Sequence, residues 1–157
     1  MREAQAECAE YFFLFPLFVS VTLLTKTGFF VAIADGIAGG LARIGSGHMA
    51  WLQFVAATFV SAILNNNIVA DFGSRALIPM DDTALRLFAV AQIAGYALGG
   101  CWTHIGSAQS VVAYSFIQRD IDSGYTPVEW IRLITPVILE MGVVITAILY
   151  LQSAWLR

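Results

Sequence analysis

The sequence predicts an all-α integral membrane fold containing a re-entrant helical hairpin and a broken transmembrane helix. Three observations carry that prediction. The 157 residues are 59% apolar and only 12% charged, with a mean hydropathy of +0.76, whereas soluble domains average roughly 45–50% apolar and about 25% charged. The apolar residues gather into long helical runs. Two of those runs stop at uncharged polar clusters, Asn65-Asn66-Asn67 and the stretch from Trp102 to Ser110. The net charge of -3, with Lys26 as the single lysine, leaves no basic footprint and excludes nucleic acid as a partner. The lipid bilayer is the expected solvent, and the expected location is a multi-pass position in the cell or inner membrane. Cys8 and Cys101 form neither a disulfide framework nor a metal-ligating pair.

The amino terminus, Met1 to Glu10, is acidic where a secretory signal would be basic, so no cleaved signal is expected. A first span is expected over residues 10–26. Tyr11 to Thr25 reaches across about 30 Å of hydrocarbon only with its flanks included, and Pro16 bends its first turns. Residues 28–44 are expected to form an interfacial helix, because Asp35, Arg43 and three glycines interrupt the apolar face. A plain second span is the alternative there, since small residues also favour helix packing in lipid.

Residues 48–80 are read as the re-entrant hairpin. Met49 to Leu64 gives about 24 Å of helix, short of the ~30 Å core, and it meets three amides that would cost several kcal/mol each if left unpaired in hydrocarbon. On the return arm Asp71 and Arg75 are spaced to pair along one helix face. The arm ends near Pro79 and Asp81-Asp82. Residues 83–118 are read as the broken span, running from Thr83 to about Cys101, interrupted by Gly99-Gly100 and Trp102 to Ser110 and resuming at Val111, with Ser107 placed to cap its second half. Arg119, Asp120 and Asp122 return the chain to water. The last span, residues 127–156, carries Pro136 inside it, Glu140 near its centre, and Trp130 and Trp155 as expected interface anchors.

An interrupted membrane helix exposes free carbonyls at one end and free N–H groups at the other, each end worth about half an elementary charge. Such breaks occur at membrane depth where the backbone is buried in protein or lines a wet cavity, and in transporters they mark substrate and ion sites. Asn65, Asn66, Asn67, Ser107, Gln109 and Ser110 are therefore the candidate ion- or substrate-binding residues. Their amide and hydroxyl oxygens suit an alkali cation, and their amide N–H groups suit an anion. The plainer readings are a solvent-exposed asparagine turn and ordinary hydrogen bonds between helices. Asp71, Arg75 and Glu140 are candidates for proton or charge coupling, because carboxylates at membrane depth are costly. Their structural alternatives are an Asp71–Arg75 pair and a protonated Glu140 gluing two helices. His104 and Ser107 are close enough in sequence to suggest a hydrolase pair. No GxSxG elbow or third group accompanies them, so no enzyme is expected.

The segments "SAILNNN" at Ser61 to Asn67 and "GGCWTHIGSAQSVVA" at Gly99 to Ala113, with the opening "YFFLFPLFVSVTLLTKTGF", resemble the carboxy-terminal repeat of the ion transporter superfamily. That group includes citrate and divalent-anion symporters, the arsenite pump membrane subunit and NhaD-type sodium/proton antiporters. The resemblance covers nearly the whole chain and implies one inverted-repeat unit, with a sodium ion held through Asn65, Asn66 and Ser107. The asparagine triplet departs in detail from the tips common in that group. The group carries two repeats, so the resemblance also implies a second repeat as partner: another subunit, another half of the chain, or a homodimer. The function it implies is half of a sodium- or proton-coupled secondary transporter for a small ion or organic anion, by antiport or symport. The alternative is a non-transporting docking or assembly subunit that keeps the fold. By charge, the side bearing Lys26, Arg43, Arg75, Arg86 and Arg157 is cytoplasmic, whereas the resemblance implies the opposite face.

Overall fold

A glycine stops each of the first two helical stretches, because only glycine takes the required backbone without strain. The computed structural model describes residues 19–20, 22–77 and 82–155. Residues 22–26 are helical, and Gly28 at φ +77° turns the chain into α1, Phe29–Ile44. Gly45, at φ +81° and ψ 164°, redirects it into α2, Ser46–Ile63. The chain then reverses at Leu64 and Asn65 into α3, Asn66–Leu77. There follow α4, Asp82–Trp102, α5, Ala108–Asp120, and α6, Pro127–Trp155. Helix accounts for 88% and no strand occurs among the described residues, which makes the fold all-α. The first span expected over 10–26 falls largely outside the described residues, as do the last residues of the expected hairpin, 78–80.

The central contact is α2 against α4. Gly95 and Gly99 stand one turn apart on α4, opposite Ala57, Thr58 and Ser61 on α2. A Cβ added at Gly95 would lie 2.6 Å from the Ala57 Cβ and 2.7 Å from the Phe54 carbonyl oxygen, and one at Gly99 would strike the Thr58 backbone. Small residues four apart let two helix backbones touch, the device that packs helices where no water drives them together. Around this contact, Ile37, Ala50, Phe54, Leu77, Leu87, Phe88, Ala91 and Leu149 form the core. Gln53 donates to the Gln92 side-chain oxygen, and Gln92, itself buried, donates to the Val69 carbonyl at 2.9 Å. One amide thus ties α2, α3 and α4 together.

Among the described residues, two helices are long and apolar enough to cross a membrane: Ala84–Trp102 and Pro127–Trp155. The second has a mean hydropathy of 2.1, yet only 11% of its most apolar window is buried, against 39% for the first. At the start of α6, Thr126 and Glu129 form a reciprocal cap: Thr126 N–H and Oγ1 donate to Glu129 Oε2 at 2.7 and 2.9 Å, and Glu129 N–H donates back to Oγ1 at 3.3 Å. Pro127 at the first helical position fits, having no N–H to leave unpaired. The helix continues through Pro136.

Two local expectations change. Gly99 and Gly100 are not part of the break: α4 stays helical to Trp102, close to the expected end near Cys101, because these glycines provide close approach to α2 and to the hairpin tip instead of a bend. Trp130 is no interface anchor. It is buried and donates from Nε1 to the Cys101 carbonyl at 3.3 Å, whereas Trp155 is 92% exposed, as an anchor would be.

Candidate functional site

The two polar breaks meet. The Asn66 N–H, at the start of α3, donates to the Gly106 carbonyl at 3.0 Å, joining the hairpin tip to the turn between α4 and α5. Thr103 Oγ1 donates to the Ala62 carbonyl at 2.6 Å, and Ser61 Oγ donates to the Tyr96 carbonyl at 2.9 Å. A Cβ placed on Gly100 would stand 3.2 Å from the Asn66 Cβ and 3.3 Å from the Ser107 Cβ. The carboxyl ends of α2 and α4 and the amino ends of α3 and α5 therefore converge on one locus. Two partial negative and two partial positive helix ends lie side by side there.

At the hairpin tip, Asn65 serves the fold. Its Oδ1 accepts from the Asn67 N–H at 3.0 Å and its carbonyl accepts from Ile68 at 3.0 Å, so it caps α3. The carboxamides of Asn66 and Asn67 make no hydrogen bond among the described residues, which leaves their oxygens and N–H groups uncommitted. On the other side of the locus, Ser107 is the N-cap of α5. Its Oγ accepts from the Ser110 N–H at 3.1 Å and donates to Ser110 Oγ at 2.9 Å, which donates in turn to the Gly100 carbonyl at 2.8 Å. Both serines are buried. Each hydroxyl, with one proton and two lone pairs, retains a lone pair. Gln109 is exposed at the start of α5 and makes no bond with a described group.

Gly106 sits where these ends crowd closest. A Cβ there would lie 2.9 Å from the Gly99 carbonyl oxygen and 3.0 Å from those of Gly100 and Ser61. Three carbonyl oxygens from two helix ends thus crowd the Gly106 backbone, and only a residue without a Cβ fits between them. The uncommitted Asn66 carboxamide and the remaining lone pairs of Ser107 and Ser110 are hard oxygen donors of the kind that suits a monovalent cation such as sodium.

The charged candidates lie apart from this locus. Asp71 and Arg75 pair on α3, with Arg75 Nε 3.1 Å from Asp71 Oδ2 and both side chains about a third exposed. A cavity of about 460 Å³ beside them is lined by Asp71, Ser74, Gln92 and Tyr96, among others. Glu140 is exposed on α6 and makes no hydrogen bond or ion pair with a described residue. At the foot of α5 the Arg119 guanidinium grips Asp120 at 2.7 and 2.9 Å and holds its carboxyl below the usual aspartate range. His104 makes no hydrogen bond to Ser107. Its ring packs on Tyr114 with centroids 4.8 Å apart, and Ser107 is engaged with Ser110.

Ser61, Thr103 and Gly106 help build the site though only the segments holding them were marked in the sequence, and Gln53 and Gln92, which support it, did not stand out at all. A lone glutamine in an apolar run reads as neutral. The signal that was available is the four-residue spacing of small residues, Ala57 and Ser61 against Gly95 and Gly99. Comparison of the chain with known protein families, characterised proteins and solved structures returns no match in any of the three.

Proposed function

We propose that this chain is one repeat of a multi-pass secondary ion transporter, in which α2 and α3 form a re-entrant hairpin and α4 and α5 a broken span. The observation that carries the reading is the hydrogen bond from Asn66 N–H to the Gly106 carbonyl, which brings two polar helix breaks together in a chain too apolar for water. Residues as costly to desolvate as these amides and hydroxyls are kept at membrane depth where they serve an ion or substrate path. Sodium is the cation of choice, held by Asn66 and Ser107, with Asn65 shaping the tip and Asn67, Gln109 and Ser110 alongside. The Asp71–Arg75 pair is the nearest candidate for carrying a coupled proton, and this favours sodium/proton antiport over anion symport. Transport proceeds by alternating exposure of the joined tip and break. A second repeat completes the binding site.

The test is thermal unfolding of the purified full chain in sodium chloride against choline chloride. A sodium site gives a rise in Tm that grows with sodium, following the mass-action law for a ligand that binds the native state. The rise is expected to fall in Asn66→Ala and Ser107→Ala. Identical melting in the two salts, or a sodium response untouched by both substitutions, refutes the assignment.

A further inference from the structure

The α6 helix has a buried face and an exposed one, and the exposed face carries opposite charges in a symmetric arrangement. Trp130, Ile138, Leu149 and Ser153 face the bundle. Arg132, Pro136 and Glu140 are exposed and recur every four residues, so they form one stripe about 12 Å long. Flanking them, Leu133 is 67% exposed, Leu139 61% and Val143 70%. Neither Arg132 nor Glu140 has a hydrogen bond or ion pair with a described residue. A lone carboxylate deep in a bilayer costs at least about 2.5–3.5 kcal/mol, and such groups find partners.

We propose that this face binds a second copy of the chain, antiparallel, about a two-fold axis at Pro136. Pro136 lies midway between the two charges. An antiparallel copy therefore sets Arg132 of each chain opposite Glu140 of the other, making two equivalent ion pairs with one operation, as an isologous interface requires. A parallel copy would set Glu140 against Glu140, which is repulsive. The inference rests on the reading of α6 as a span.

The experiment uses the full chain with Cys8→Ser and Cys101→Ser, reconstituted in liposomes. Chains carrying Leu133→Cys are mixed with differently tagged chains carrying Leu139→Cys, positions that the axis brings together. Oxidation is expected to yield the mixed 133–139 disulfide over either homotypic one. Glu140→Arg and Arg132→Glu should each weaken association by more than about a hundredfold, since the loss of one buried pair is already on that scale and each reversal breaks both, and the double reversal should restore it. Homotypic cross-links, a monomer, or single reversals that associate like the parent overturn the proposal. Sodium-dependent melting, read on the same samples, separates the two ideas. A sodium response without the mixed cross-link removes this interface alone, and the cross-link without a sodium response removes the ion site alone.

Discussion

Replacing Gly106 by alanine adds one methyl group at the point where the two breaks meet. That methyl would stand 2.9, 3.0 and 3.0 Å from the carbonyl oxygens of Gly99, Gly100 and Ser61. None of these can swing aside as a side-chain tip would, because all three belong to helix backbones that are themselves locked at the Gly95 and Gly99 crossing. Forcing an extra carbon into a packed position costs about 1–3 kcal/mol. If the turn yields instead, the bond from Asn66 N–H to the Gly106 carbonyl is lost, worth about 1 kcal/mol net. The expected destabilisation is therefore roughly 1–3 kcal/mol, or a fall in Tm of about 2–12 °C on the scale of domains this size. Thermal melting in detergent checks it. Gly39→Ala is the matched control: a Cβ at Gly39, inside α1, meets nothing within 4 Å, so that variant should melt at the parent temperature or slightly above it. If Gly106→Ala and Gly39→Ala melt alike, the crowding of the two breaks has no energetic meaning and the argument built on it falls.

Two further outcomes are expected. Gln92→Leu keeps the bulk of the side chain but leaves the Val69 carbonyl and the Gln53 amide without their partner; a loss of about 1–3 kcal/mol is expected, read by thermal melting, with Gln53→Leu in the same chain recovering part of it. Asp120, whose carboxyl the Arg119 guanidinium holds below the usual range, contributes stability that is complete above the usual aspartate value of about 4 and is lost as pH falls through the lower native value; melting curves at stepwise lower pH should therefore fall less steeply for Asp120→Asn than for the parent, and parallel curves would contradict it.

The helices were legible in the sequence because long apolar runs between polar punctuation can be little else. Both breaks were legible for the same reason, and Ser107 showed its capping role through its place just before the resumed helix. What the sequence concealed is contact at long range. Gly99 reads as a helix breaker when only its neighbours are considered, yet it lies inside α4, because the backbone it must approach belongs to Thr58, forty-one residues earlier. Trp130 reads as an interface anchor from its position near the end of a span. It is buried because its indole N–H has a carbonyl to satisfy at Cys101. Gln53 and Gln92 carry no local signal at all, and their meaning exists only once α2 and α4 lie together.

The hairpin tip and the broken helix are held to each other by main-chain groups, N–H of Asn66 to C=O of Gly106, and a main-chain bond is indifferent to the side chains that hang from it. The frame of the site and its chemistry are thereby separated. Asn67 and Gln109, whose side chains have no part in holding the frame, can be exchanged for other residues while the frame stays where it is. On the ion-site reading proposed above, such a scaffold would let one fold be retuned from one ion to another by changes of single residues, without having to be folded anew.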